Sequence, residues 1–255
     1  MLQYWGNSFG FAAPASNLWT PAGGSLWLDM SSSANYTDSG GFLAQLNDLT
    51  GNGRNAVEAT NRPTIATASG FTVARFDGVN DQMLINSQFF PSGPVASASY
   101  IIAMVAKINN TATYGGITTN PAGSQTGCAL VMNGAGRWAN ICSGSTLFPS
   151  VTNTNRAIVV SVVNAGVLTV WYNGVQVGGP LTATGNIVNS TRVKLGTYRD
   201  ENSAFGAFDL EALSVFVGTA STTIRQNLEG YFAHNRGLAG GLPANHPWKA
   251  GPPTQ

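Results

Sequence analysis

Between Ala157 and Val177 the chain spells out three strands and their connections: AIVVSVV, then Asn164-Ala165-Gly166, then VLTVWY, then Asn173-Gly174, then VQV. Asn-Gly supplies the two positive-φ positions of a type I′ turn, whose twist matches that of the strands it joins. Successive side chains on a strand point to opposite faces, so Leu168, Val170 and Tyr172 share one face and Val167, Thr169 and Trp171 the other. Both faces carry apolar groups, which places this hairpin inside a sheet covered on both sides. A chain built around such a block is committed to antiparallel β-structure.

The same rhythm runs through most of the sequence. Strand-sized runs at Ser25–Met30, Gly41–Leu46, Phe71–Phe76, Gln82–Ile85, Ser99–Lys107, Ala129–Met132, Arg192–Leu195 and Phe208–Val217 alternate with turn clusters, and the 31 glycines suit that many turns. The length of 255 residues fits one sandwich. One helix is expected late: Ser221 or Thr222 is its N-cap, Ile224, Leu228, Tyr231 and Phe232 fall on one face, and Gly237 suits its C-terminal end. Three regions follow: residues 1–24, an aromatic N-terminal arm; 25–240, the sandwich; and 241–255, a Pro-rich tail expected to lie extended on the surface. The arm holds Tyr4, Trp5, Phe9, Phe11 and Trp19 without helical or strand period. Aromatics of that size need burial, either over the chain's own core or against a neighbouring subunit.

Only 9% of residues are charged and the net charge is +1, so no electrostatic footprint for nucleic acid exists. The surface must be solvated by amides and hydroxyls, a composition that suits contact with neutral sugars. Residues 1–10 carry no Lys or Arg and no apolar run of signal-peptide length, and the longest apolar runs are strand-sized, so the expectation is a soluble chain without membrane insertion. Cys128 and Cys142 are either two buried thiols or one cross-strand bridge.

Several segments occur in the order found in a known family: Leu26-Trp27-Leu28-Asp29, then residues 47–56 (NDLTGNGRNA), then 75–81 (RFDGVND), then Val170-Trp171-Tyr172-Asn173-Gly174, Lys194-Leu195-Gly196, Phe208 to Phe216, and a closing 228–238 (LEGYFAHNRGL) followed by 242–248 (LPANHPW). In this series the chain resembles laminin-G-like, or concanavalin-A-like lectin, jelly-roll domains, over roughly residues 26 to 248. The closing signature is similar to that of bacteriophage and bacterial members. The resemblance implies an all-β fold: a two-sheet antiparallel jelly-roll sandwich with one short C-terminal helix. It does not imply a single function, since the same sandwich serves lectins, adhesins, virion components and glycoside hydrolases.

Retaining glucanases of this fold carry a Glu-x-Asp-x-Glu strand whose outer glutamates are nucleophile and acid/base. The nearest match is residues 207–211 (AFDLE), where Ala207 occupies the nucleophile position and only Asp209 and Glu211 remain. The histidines, His234 and His246, accompany no Gly-x-Ser-x-Gly elbow and form no zinc spacing. No catalytic residue is therefore assigned.

For binding, many members of the resembled family hold calcium on rim loops through Asp and Asn oxygens, and Asp77, Asn80 and Asp81 are the best such cluster, with turn capping as the competing reading. No other cofactor is implied. Sugar stacking points to Trp138 and to Tyr198 with Arg199 and Asp200, with Tyr114 and Phe205 as further aromatics. The expectation is a non-enzymatic bacteriophage virion-surface protein, a fibre, adhesin or head-decoration subunit assembled in the host cytoplasm. Its partners would be other virion proteins, its own copies as a dimer or trimer, and host-surface glycans. The alternatives are a glycoside hydrolase or lyase of the same fold, using Asp209 and Glu211, and an exported bacterial glycan-binding or adhesion module.

Overall fold

The computed structural model describes residues 19–199 and 204–254. Its strands pair antiparallel throughout the two layers. One layer runs Leu26–Asp29, Ala207–Val217, Ser99–Ile108, Ala157–Asn164, Val167–Tyr172 and Val175–Thr182. The other runs Ser145–Leu147, Arg137–Cys142, Cys128–Asn133, Gly115–Thr118, Val193–Thr197, Met83–Ile85, Ala56–Val57, Phe42–Leu46 and Tyr36–Ser39. Thr64–Ala68 and Phe71–Asp77 turn the corner between them: the first touches Phe42, and the second pairs with the opening residues of Ala207–Val217.

Period-two burial explains the layering. Along Val167–Tyr172 the residues Leu168, Val170 and Tyr172 are buried in the inter-sheet core while Val167, Thr169 and Trp171 are half-buried on the outer face. Asn173 and Gly174 take φ of 47° and 80°, as a type I′ turn requires. The third strand of the meander, Val175–Thr182, is mostly exposed and pairs only with Val167–Tyr172 among the described residues, so the hairpin expected inside the sheet ends it instead.

The first layer is apolar on both faces because a helix covers its outside. Thr222–Asn235 is capped by the Ser221 hydroxyl, which accepts the Ile224 N–H at 3.2 Å. Its Leu228, Phe232 and Ala233 pack on Ile101, Ala103, Val105, Ile158, Val160 and Phe216. Gly237 follows with φ of 63°, the left-handed position after a helix end. No helix among the described residues is long and apolar enough to cross a membrane.

The tail corrects an expectation. Residues 241–254 do not lie extended on the surface but fold back onto the helix. Gly230 is the reason: a Cβ there would meet Trp248 at 2.5 Å, so the bare backbone admits the indole. His246 is buried with Nε2 3.0 Å from Glu229 Oε2, and Lys249 Nζ donates to the carbonyls of Ala239, Gly240 and Leu242 at 3.0, 2.8 and 2.7 Å. Polar residues thus build a second small core by hydrogen bonding where apolar count alone predicts none.

Candidate functional site: a groove at the sheet corner

Where Thr64–Ala68 and Phe71–Asp77 turn between the layers, an open groove of about 380 Å³ is lined by Phe42, Arg62, Thr64, Arg75, Phe76, Asp77, Asp81, Asn109, Asn110 and Ala207. Arg75 is its fixed cation. Nε and Nη2 donate to Asp209 Oδ1 and Oδ2 at 2.7 and 2.9 Å, and Asn109 Nδ2 donates to the same Oδ1 at 2.8 Å. Asp209 is buried while the Arg75 side chain is 43% exposed, so a carboxylate below the floor orients a guanidinium at the surface. These bonds hold the Arg75 pKa above its ordinary value. Nη1 makes no hydrogen bond among the described residues.

Across the groove Phe42 is 43% exposed, with the Arg62 guanidinium carbon 5.5 Å from its ring centroid. Arg62 Nε is buried without a hydrogen-bond partner. A partly exposed aromatic ring, two guanidinium groups, two carboxylates and the amides of Asn109 and Asn110 therefore line one concavity, a candidate small-ligand site.

The Asp77–Asp81 loop forms one wall. Asp77 Oδ1 accepts the N–H groups of Val79, Asn80 and Asp81 at 2.7, 3.3 and 3.5 Å, and Asp81 Oδ2 accepts the Asp77 N–H at 2.9 Å. Glycine is needed at 78, where φ is 79° and a Cβ would meet that of Ala207 at 2.9 Å. Calcium takes roughly six to eight oxygen ligands. Here two of the loop's four carboxylate oxygens already serve its own amides, and no group of three or more His, Cys, Asp or Glu able to hold a metal occurs among the described residues. Asp77, Asn80 and Asp81 therefore make a self-capped turn, in which one oxygen of each carboxylate is engaged by the loop's own amides.

Asp81 is 7% exposed, and burial pushes its carboxyl up to about 6, with the nearby Asp77 charge adding to the rise and the Asp77 N–H opposing it. A folded-state pKa above the unfolded 3.8 means that the folded chain binds this proton more tightly. The stabilisation is fully present below the unfolded value and is lost as pH rises through about 6. Asp81→Asn keeps the acceptor for the Asp77 N–H, so the variant should lose less stability than wild type between pH 5 and pH 7. Denaturant midpoints at the two pH values measure this, and an unaltered difference contradicts it.

The aromatics expected to stack on sugars separate. Trp138 is corrected: it is 1% exposed and lies inside the sandwich, edge-on to Phe208 at 5.5 Å, with its N–H donating to Tyr172 Oη at 2.9 Å. Its strand register pairs it with Met132, and even-numbered residues of this hairpin face inward. Tyr198 is half-buried over Ala129, Val131 and Ile141, with the Tyr114 ring at 6.0 Å and the Arg199 guanidinium at 5.1 Å from its centroid. Asp200 lies outside the described residues. The Tyr114–Tyr198 pair forms a second rim, joined to the groove through Thr113, whose Oγ1 accepts the Ala207 N–H at 2.9 Å.

The arm residues Tyr4, Trp5, Phe9 and Phe11 also lie outside the described residues. Trp19 is corrected from an assembly contact: its N–H donates to Pro253 O at 3.0 Å, and its ring stacks on Phe216 at 6.1 Å and meets Tyr231 edge-on at 6.3 Å. It folds back on its own core.

Asp209 and Glu211 are each clamped by an arginine. Arg156 grips both oxygens of Glu211 through Nε and Nη2, as Arg75 grips Asp209. Sequence reasoning missed Phe42, Arg62, Asn109 and Asn110 as site residues. They come from three separate stretches and no local motif joins them; only Asp77, Asp81 and Arg75 sat in a recognisable segment.

The site therefore belongs to a jelly-roll-like, all-β sandwich with an aromatic-edged groove at its corner. No protein-family model matches the chain, and no curated protein matches it. Solved structures share the fold. A Trypanosoma rangeli sialidase in complex with sialic acid is 12% identical with a TM-score of 0.55, over 82% of this chain and 33% of the sialidase. The binding domain of botulinum neurotoxin serotype D is 16% identical with a TM-score of 0.56, over 82% of this chain and 52% of that one. The receptor binding domain of botulinum neurotoxin type G is 13% identical with a TM-score of 0.53, over 83% and 51%. The chain spans about a third of the sialidase and half of each toxin domain, and at such identities the likeness is one of fold.

Proposed function

We propose that the chain is a non-enzymatic glycan-binding sandwich of the laminin-G-like kind, with the corner groove as its ligand site, displayed on a bacteriophage virion as a fibre, adhesin or head-decoration subunit. The observation that carries the glycan reading is the placing of the exposed Phe42 ring beside guanidinium, carboxylate and amide groups. A sugar ring offers its C–H face to an aromatic and its hydroxyls to such donors and acceptors. The toxin binding domains and the sialic-acid-bound sialidase of the same fold support it. The non-enzymatic reading is supported by Asp209 and Glu211, the two carboxylates left from the hydrolase pattern, which are each engaged by an arginine. The virion reading is supported by the weakly charged composition and the closing signature. Display in several copies would raise the avidity of a weak site.

A glycan array carrying neutral and sialylated oligosaccharides tests the site. Wild-type protein should bind a defined subset, and Phe42→Ala and Arg62→Ala should each weaken binding by about tenfold or more, or about 1.4 kcal/mol. Reducing-sugar release from the bound glycans would favour the hydrolase instead. Binding that survives both substitutions would remove the groove from the account.

A further inference from the structure

The proposed function leaves the two cysteines unused. Cys128 and Cys142 stand directly opposite each other on the adjacent antiparallel strands Cys128–Asn133 and Arg137–Cys142, and both are buried as free thiols. The Ser143 N–H donates to Gly127 O at 3.3 Å, which brackets the cysteines as a non-hydrogen-bonded pair. In such pairs the Cα atoms approach to about 4.5 Å and the side chains lie closest. That separation falls within the roughly 4.4–6.8 Å that a disulfide spans. The sequence keeps the thiols apart by 14 positions, but the hairpin register brings them together.

We propose that Cys128 and Cys142 are a redox pair that closes into a cross-strand disulfide when the folded protein meets a peroxide-class oxidant. The hydrogen bond from the Cys128 thiol holds Cys142 below its ordinary pKa, whereas burial pushes Cys128 well up, so Cys142 is the attacking sulfur. The Cys142 thiolate attacks one oxygen of hydrogen peroxide, the O–O bond breaks, and hydroxide leaves, giving Cys142 sulfenic acid. The Cys128 sulfur then attacks the Cys142 sulfur, the S–O bond breaks, and the Cys128 proton and the hydroxyl depart as water. In total two thiols lose two electrons and two protons, and one peroxide becomes two waters. The bridge would staple the hairpin whose outer face, at Ala129, Val131 and Ile141, supports Tyr198.

Arg137 lies between the cysteines, so trypsin separates them into different peptides. Folded wild-type protein is treated with hydrogen peroxide, denatured in iodoacetamide without reductant, and digested. The expected result is a linked pair of peptides that dithiothreitol separates, together with a raised Tm before digestion, since a closed loop restricts the unfolded chain. Cys142→Ser should yield no linked pair; Cys142→Ala serves if that variant does not fold. Recovery of both cysteines from treated wild type as alkylated or oxygenated single peptides, without a link, overturns the proposal.

Discussion

Trp138→Ala is expected to lower folding stability by about 3–5 kcal/mol, the range for emptying a large buried aromatic site. The indole is among the largest fully buried side chains; it meets Phe208 edge-on, and Phe208 in turn stacks on Phe76 at 4.6 Å. Removing it opens a void between the two layers and takes the edge contact from Phe208. The backbone N–H to Tyr172 Oη is retained, so the loss is one of packing. Chemical denaturation measures it as a shifted midpoint at similar slope. For a chain of this size each kcal/mol moves Tm by roughly 2–4 °C, so a fall of about 10 °C is expected. An exposed sugar platform at this position would give the opposite result: unchanged stability and lost binding.

Arg236→Ala should act as strongly through charge. Arg236 Nη2 donates to Asp29 Oδ1 at 2.6 Å, its Nε lies 3.9 Å from Glu211 Oε2, and all three side chains are about 95% buried. Arg156 completes the cluster by gripping Glu211 and donating to the Arg236 carbonyl at 2.8 Å. Truncating Arg236 leaves two buried carboxylates with a single cation between them. Breaking a buried pair from one side costs about 3–5 kcal/mol, because the remaining charge has lost both water and partner. Arg236→Met, which restores bulk but not charge, should remain destabilised. Adding Asp29→Asn to Arg236→Met should recover part of the loss, and a double-mutant cycle reads that coupling. Full stability in Arg236→Ala would show that the cluster contributes nothing net.

The contrast between Trp138 and Phe42 explains how much was legible in the sequence. Antiparallel order, strand positions and the capped helix are local properties, set by period-two alternation, Asn173-Gly174 and Ser221, and the structure bears them out. Which face of a strand looks inward is set by the partner layer. Trp138 sits in a Gly- and Asn-rich stretch that reads as an exposed rim, yet its register with Met132 turns it into the core. Phe42 reads as an ordinary strand residue, yet it lies at the corner where no further strand covers it. Thr64–Ala68 carries β-branched residues but is short and follows Pro63, and Gly115–Thr118 opens on two glycines, so neither stood out, and the first of them lines the groove through Thr64.

The Asp77–Asp81 loop was visible as a cluster of oxygen donors, but where those oxygens point is set by the folded turn. Two of them close the turn, and the residues that give the groove its cations and ring arrive from positions 42, 62 and 75. The tail misled for a related reason: its burial rests on Gly230, a residue whose importance is the side chain it lacks.

The central claim is that the corner groove is where a glycan binds. Heteronuclear NMR of the full chain, titrated with the oligosaccharides that bind on the array, tests it most directly. The account predicts saturable shifts at the Arg62 and Arg75 Nε–H signals and at the Asn109 and Asn110 side-chain amides, with the Trp171 indole signal unmoved on the outer sheet face. Shifts confined to Tyr114, Tyr198 or Trp171, or a titration that leaves all four groove signals in place, would contradict it.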